Sequence, residues 1–300
     1  MQTTQVNAAS AQLMRVGEKR LRRIKRQAVA RGLQRRRCAN AQGFCVVRHV
    51  CVDEKSLFKG HHYVTILYNG QDGEVLEVVE HRDEEAARSA FSQLGDYIDL
   101  NGVQVVTMDM WKAFRSATRC VIPQATVVHD RFHLVKYLNN AVDITRRSEN
   151  KRLRKTGDDL LKSTKYLWLK HPDRLSPVQK IKHEQLLQRE DLQTTQVWKL
   201  KEDFRNFFNA CSVQNARTFF AEWYKRVESS SNKHMSSVAN TFKRHLDDIV
   251  TYVQYPVSNA MAEGVNSSIQ QLKCKARGFS SAENYRNNIL FHLGGLDLYP

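Results

Sequence analysis

The stretch "FCVVRHVCVDEKSLFKGHHYVTILYNGQDGEVLEVVE", residues 44 to 80, decides the fold. Val, Ile, Tyr and Cys dominate three short runs, 44 to 53, 63 to 68 and 74 to 80, which is the composition of β-strands. "KGHH" separates the first pair of runs, and "NGQDG" joins the second and third with the Asn-Gly and Asp-Gly chemistry of a tight hairpin. Three antiparallel strands in meander order are expected.

Beyond residue 80 the hydrophobic period lengthens. "DEEAARSAFSQLGDYI" opens with acidic residues suited to a helix N-terminus and keeps Ala86, Ala90, Phe91 and Leu94 on one side. "VQVVTMD" reads as a buried strand ending at Asp109, a helix from Trp111 to about Cys120 is stopped by Pro123, and "ATVVHD" is a further short strand. Strand-helix-strand order requires parallel pairing beside the hairpins. The compact solution is an α/β fold with a mixed five-stranded sheet flanked by helices, in the ribonuclease H-like order.

Residues 131–255 are polar, periodic at the helical spacing and almost free of strand runs, with Ser176-Pro177 as a helix-start signal. They are expected to form an all-helical insertion. The expected organisation is therefore a basic helical N-terminal arm at 1–43, a catalytic core from 44–130 with 256–300, and the insertion between the core's halves.

The chain carries 47 Lys plus Arg against 31 acidic residues, a formal charge of +16. Such a surplus fits a polyanionic partner, and nucleic acid is the class it indicates. Up to Arg37 there are eleven basic residues and one Glu, so +10 of the charge sits in the first segment. There, Leu13, Gly17, Leu21, Ile24 and Ala28 form one stripe in a helix that is either a solvated basic helix or a DNA-contacting one. Six cysteines without a C-x-x-C pair suit a reduced compartment rather than a disulfide framework. No apolar run is long enough for a bilayer and no secretory signal opens the chain, so a soluble, cytoplasmic protein is expected.

Asp53 and Asp109 are read at the ends of the first and fourth strands, which lie side by side in this sheet order. Taken singly, each is equally a strand-ending or capping aspartate. "YPVSNAMAEGVNSSIQQLKCKARGF", residues 255 to 279, supplies a third acid. At about 100° per residue, Ala262, Val265, Ile269, Leu272 and Ala276 form an apolar arc, with Asn259, Glu263, Asn266 and Gln270 just beyond its edge and Lys273 and Arg277 further along. A carboxylate at the margin of a packed face needs a compensating charge. Asp53, Asp109 and Glu263 together would hold two divalent ions, and hard oxygen donors select Mg2+ or Mn2+. Alternatively, Glu263 pairs with a nearby cation and the asparagines cap turns.

In "HDRFHLVK", His129 and His133 have a metal-pair spacing but no obvious third ligand; the other reading is a helix start with Arg131 and Lys136 available to phosphate. Trp111 is either a base-stacking or a core residue, and Trp168 and Trp198 are assigned to packing.

"VDEKSLFKGHHYVT", "VTMDMWKAF", "VVHDRFHLVKYLNNAVD", "LKSTKYLWLK", "WKLKEDFR" and "VSNAMAEGVNSSIQQLKCKARGF" each resemble a block, in order, of the ISL-three family of Asp-Asp-Glu transposases of bacterial insertion sequences. The resemblance covers about residues 44 to 295. It implies two-metal DNA cleavage at element ends followed by strand transfer into target DNA, with Asp53, Asp109 and Glu263 as the metal-binding catalytic triad. It also implies a homo-oligomer on paired DNA ends. From their charge and position rather than from the resemblance, Arg131, Lys136, Asn259, Asn266, Lys273 and Arg277 are expected along the DNA path. Two departures stand out: Cys38, Cys45 and Cys51 lack the spacing of the family's N-terminal zinc ribbon, and Cys274 replaces a second basic residue. The alternatives are a shortened copy that binds DNA without catalysis and a nuclease that cuts without joining.

Overall fold

Hairpin chemistry sets the first part of the fold. In a computed structural model, which describes residues 17–43, 46–58, 60, 62–257, 260–276 and 278–300, Asn69 and Gly73 close the expected turn. The Gly73 N–H donates to the Asn69 carbonyl at 2.8 Å, and the Asn69 side-chain oxygen accepts from the Gln71 N–H at 3.1 Å. Gly73 takes φ +83°, a left-handed conformation open to a residue without Cβ.

The described elements in chain order are α1 (Glu18–Ala41), β1 (His49–Phe58), β2 (His62–Asn69), β3 (Val75–Glu80), α2 (Glu84–Gly95), β4 (Val105–Met108), α3 (Lys112–Val121) and β5 (Thr126–His129). A helical stretch follows: α4 (Arg131–Arg154), α5 (Lys165–Leu169), α6 (Pro177–Leu187), α7 (Gln193–Asp203), α8 (Val213–Ser229), α9 (Lys233–Arg244) and α10 (Leu246–Val250). The chain closes with α11 (Ala260–Lys275) and α12 (Ala282–Leu293). The sheet order is β3-β2-β1-β4-β5, with β1, β2 and β3 antiparallel and β1, β4 and β5 parallel. This is the mixed five-stranded, ribonuclease H-like sheet.

Two compact units divide the chain. One runs to Asp130 and resumes at Val257–Pro300; the other is Arg131–Pro256. In the first, alternation along the strands sends Val50, Val52, Leu67, Val106 and Met108 to one face, where α2 and α3 bury Ala87, Ala90, Phe91 and Phe114 against them. The opposite face packs Cys51, Ile66, Tyr68 and Val78 against Val29 and Leu33 of α1, Ala262 and Ile269 of α11, and Tyr285 and Ile289 of α12.

The structure differs from the sequence pattern in two places that matter. β1 starts at His49 and continues to Phe58, so Asp53 is the fifth of its ten residues and not its last. Pairing with β2 persists to Phe58, whereas the parallel ladder with β4 ends at Cys51↔Thr107. Asp53 therefore stands just past the end of one ladder and inside the other. In α1 the buried stripe is Leu21, Lys25, Ala28, Val29, Gly32 and Leu33, while Ile24 is exposed. The helix is rotated because it docks onto α12 and the C-terminal segment. Lys25 donates to Asn288 at 3.1 Å, and a Cβ on Gly32 would stand 2.8 Å from Leu296 Cβ. Leu13 lies outside the described residues.

In the second unit all described elements are helical. Ser176 and Pro177 open α6 with a full capping box, as the sequence pattern indicates. The Glu149 carboxylate of α4 accepts from the Thr194 N–H at 2.8 Å at the start of α7, an anion at the positive end of a helix. Trp168, Trp198 and Trp223 are buried, the last beside Phe204 and Phe242. No helix among the described residues is long and apolar enough to cross a membrane.

Candidate active site

Strand register brings the first two acids together. Extending the β1–β4 pairing of Val50↔Val106 and Cys51↔Thr107 by two residues places Asp53 beside Asp109, on the sheet face that α11 covers. Neighbouring strands lie about 4.8 Å apart, which sets the scale on which their carboxylates can share a charge. Asp109 Oδ1 accepts from the Trp111 N–H at 2.9 Å, which ties the carboxylate to the first turn of α3. Asp53 Oδ1 accepts from the Glu54 N–H at 2.8 Å.

The same register carries a third aspartate to this edge. Met108 pairs with His129, so Asp130 follows beside Asp109, its N–H donating to the Met108 carbonyl at 3.0 Å. Asp130 is buried. Burial pushes the Cys51 thiol up to about 12; the negative charges of Asp130 and Asp53 add to the shift, and a hydrogen bond with Thr107 opposes it. The thiol therefore stays neutral among these acids. The sequence carries a signal for Asp130, since an Asp follows directly on β5 as Asp109 does on β4, but the flanking His129 and His133 present a metal-pair spacing that masks it.

α11 reaches the site through a relay of hydrogen bonds. The Tyr68 hydroxyl donates to Asn266 Oδ1 at 2.6 Å, and Asn266 Nδ2 donates to Asp53 Oδ2 at 2.5 Å. Burial raises the Tyr68 phenol well above its ordinary value, and the Asp53 charge adds to this, so the hydroxyl keeps its proton and the amide must turn its NH2 to Asp53. Asn266, expected at DNA, is instead buried with both ends of its amide engaged inside the protein. One amide thus satisfies a buried phenol and a carboxylate at once.

Seven residues further along α11, Lys273 donates to the Ser56 carbonyl at 2.7 Å. Seven helical residues rise about 10.5 Å and the three strand residues from Asp53 to Ser56 about 10 Å, so helix and strand run parallel and in step. On one flank of α11, Met261 and Val265 pack over Gly73 of the β2–β3 turn. Asn266 and Lys273 sit over β1, and at about 100° per residue Gln270 and then Glu263 follow around the helix, on the flank away from Gly73. Glu263 is exposed, one turn before Asn266. Gln270 is also exposed and donates to Cys274 Sγ at 3.4 Å.

Of the remaining expected DNA contacts, Arg131 and Lys136 are exposed on the first turns of α4 in the other unit, where the Arg131 guanidinium lies 4.6 Å from the Phe208 ring centroid. Asn259 and Arg277 lie outside the described residues.

A family model described as a transposase matches residues 50–289. The chain belongs to the ISL-three family of transposases. This ISL-three chain is 28% identical over 242 residues to the transposase for insertion sequence element IS1001 of Bordetella parapertussis, covering 80% of this chain and 59% of that protein. It is 23% identical over 265 residues to the transposase for insertion sequence element IS1557 of Mycobacterium tuberculosis, again covering 80% and 59%. The chain thus spans about three fifths of the length of these relatives. Among solved structures it is similar to a Drosophila P element transposase strand transfer complex, at 10% identity and a TM-score of 0.41, covering 83% of this chain and 77% of the other.

Proposed function

We propose that this chain is the catalytic part of a DNA transposase that cleaves at the ends of an insertion sequence and joins them to target DNA, with Asp53, Asp109 and Glu263 as its acidic triad. The observation that carries the reading is the convergence of Asp53 and Asp109 on one sheet face, with α11 clamped to Asp53 through Asn266. Family membership supports the reaction class.

The donor set fits divalent metal. Carboxylate oxygens at the edge of parallel strands are hard ligands suited to Mg2+ or Mn2+, and the nearby thiol is held neutral rather than offered as a soft donor. When bound, a pair of such ions supplies activation of the attacking oxygen and stabilisation of the leaving one. The chain's own residues prepare that chemistry. Asn266 fixes the orientation of Asp53 and the Trp111 N–H fixes Asp109, and Glu263 is the acid that α11 would add to them. Lys273 in one unit and Arg131 and Lys136 in the other would each supply salt-sensitive attraction to phosphates. DNA ends and target DNA are the partners, a homo-oligomer on paired ends is the working assembly, and the cytoplasm is its place.

The test is metal-dependent joining by the purified chain. With Mn2+ and oligonucleotides carrying the element's end, wild type should nick and then join pre-cut ends to a plasmid, and Asp109→Asn should do neither. Nicking without joined product would identify a nuclease, and DNA binding with no cleavage would identify a shortened, inert copy.

A further inference from the structure

One large aromatic side chain beside the acids is held still and left open. Trp111 is 42% exposed although its position is fixed twice: its backbone N–H donates to Asp109 Oδ1 at 2.9 Å, and its indole Nε1–H donates to the Arg82 carbonyl at 3.1 Å. Beneath it, the Arg82 guanidinium lies 5.1 Å from the indole centroid and 4.2 Å from that of Tyr63 on β2. Arg82 is in turn ion-paired with Glu54 at 2.8 Å, the residue after Asp53. Tyr63, Arg82 and Trp111 thus form a layered stack, tied through Arg82 to Glu54, the neighbour of Asp53, and through the Trp111 N–H to Asp109 itself.

A tryptophan needed only for packing is turned inward, as Trp168 and Trp223 are. An indole locked in orientation beside a phosphodiester-cutting site, on a strongly basic protein, presents what a nucleobase stacks on: a flat π-surface backed by a cation. In an intact duplex the faces of the bases are occupied by their neighbours. An indole can use only a base that is unpaired or turned out of the stack.

We propose that the Tyr63–Arg82–Trp111 stack is a binding site for one unpaired nucleobase of the DNA strand held at Asp53 and Asp109, with Trp111 as the stacking surface and Arg82 and Tyr63 as its support. The proposal rests on the transposase reading above and adds to it the strand state that the site takes.

The full chain allows a direct test, because Trp168, Trp198 and Trp223 are buried and acrylamide quenching of tryptophan emission therefore reports Trp111. A single-stranded oligonucleotide carrying one 2-aminopurine should shield Trp111 from acrylamide and lose 2-aminopurine emission on binding; the same sequence as a blunt duplex should do neither. Trp111→Ala and Trp111→Leu should weaken single-strand binding about 5- to 150-fold, the range for loss of one stacked base, while Trp111→Phe keeps most of the affinity. Melting curves confirm that each variant is folded. Unchanged single-strand affinity in Trp111→Ala, or an equal loss in Trp111→Phe, would overturn the proposal and leave the indole as a prop for Arg82. Failure of the transposase reading has a different signature: stacking retained but no Mn2+-dependent cleavage by wild type.

Discussion

Asn266→Ala is the most informative single substitution. It removes a hydrogen bond to the Asp53 carboxylate at 2.5 Å, and bonds to charged acceptors contribute about 1.5–3 kcal/mol. It also strips the Tyr68 hydroxyl of its acceptor in a fully buried position, which costs about 1–3 kcal/mol. Asp53 is half-buried and regains part of its loss from water, so the net destabilisation should be about 2–4 kcal/mol. For a domain of this size that lowers Tm by roughly 5–15 °C. Tyr68→Phe removes the stranded hydroxyl, so adding it to Asn266→Ala should recover about 1–2 kcal/mol relative to the sum of the single changes. Urea titrations of the four proteins followed by near-ultraviolet circular dichroism measure this coupling. With Asp53 no longer oriented, Mn2+ affinity should fall about 10- to 100-fold, read by calorimetry. A loss below about 0.5 kcal/mol, or strict additivity with Tyr68→Phe, would refute the relay from sheet to helix.

Arg286 grips the fully buried Glu77 with two bonds, 2.6 and 2.8 Å, joining α12 to β3; Arg286→Ala should cost about 3–5 kcal/mol in chemical denaturation by leaving that carboxylate without its cation. Gly32→Ala forces a Cβ against Leu296 and should destabilise by about 1–3 kcal/mol, whereas Gly264→Ala, in open space on α11, should stabilise by about 0.5–1 kcal/mol; thermal melts separate the two signs. Burial holds the His49 and His183 imidazoles below their ordinary value, with the Lys201 charge adding to the effect at His183. Between the unfolded and folded pKa values the unfolded chain binds more protons, so their contribution is unchanged above about pH 6.5 and stability falls as pH drops below it. Urea midpoints taken from pH 8 to 5 should show that decline, with a shallower slope in His183→Phe.

Much of the fold is legible because it is encoded over short distances. The Asn69–Gly73 turn, the acidic start of α2 with Asp83 as its cap, the Ser176–Pro177 helix start and the alternation that buries Val50, Val52, Val106 and Met108 each depend on neighbours within a few residues. Trp168 and Trp198 pack as their apolar surroundings indicate. Less legible was whatever depends on a partner element. The stripe on α1 turned to bury Val29 and Leu33 rather than Ile24 because α12 and the C-terminal segment supply the opposing surface.

For the candidate site, the sequence by itself determined the acids, the strand-helix order and the basic charge, since residue type and local period survive in one dimension. Only the tertiary structure decided that Asp53 stands where the β1–β4 ladder ends, that Asp130 joins the same edge, that Asn266 faces inward and that Trp111 is clamped yet open. These outcomes turn on ladder register and on hydrogen bonds between residues as far apart as Asp53 and Asn266. Their geometry exists only after the sheet has formed and α11 has docked on it.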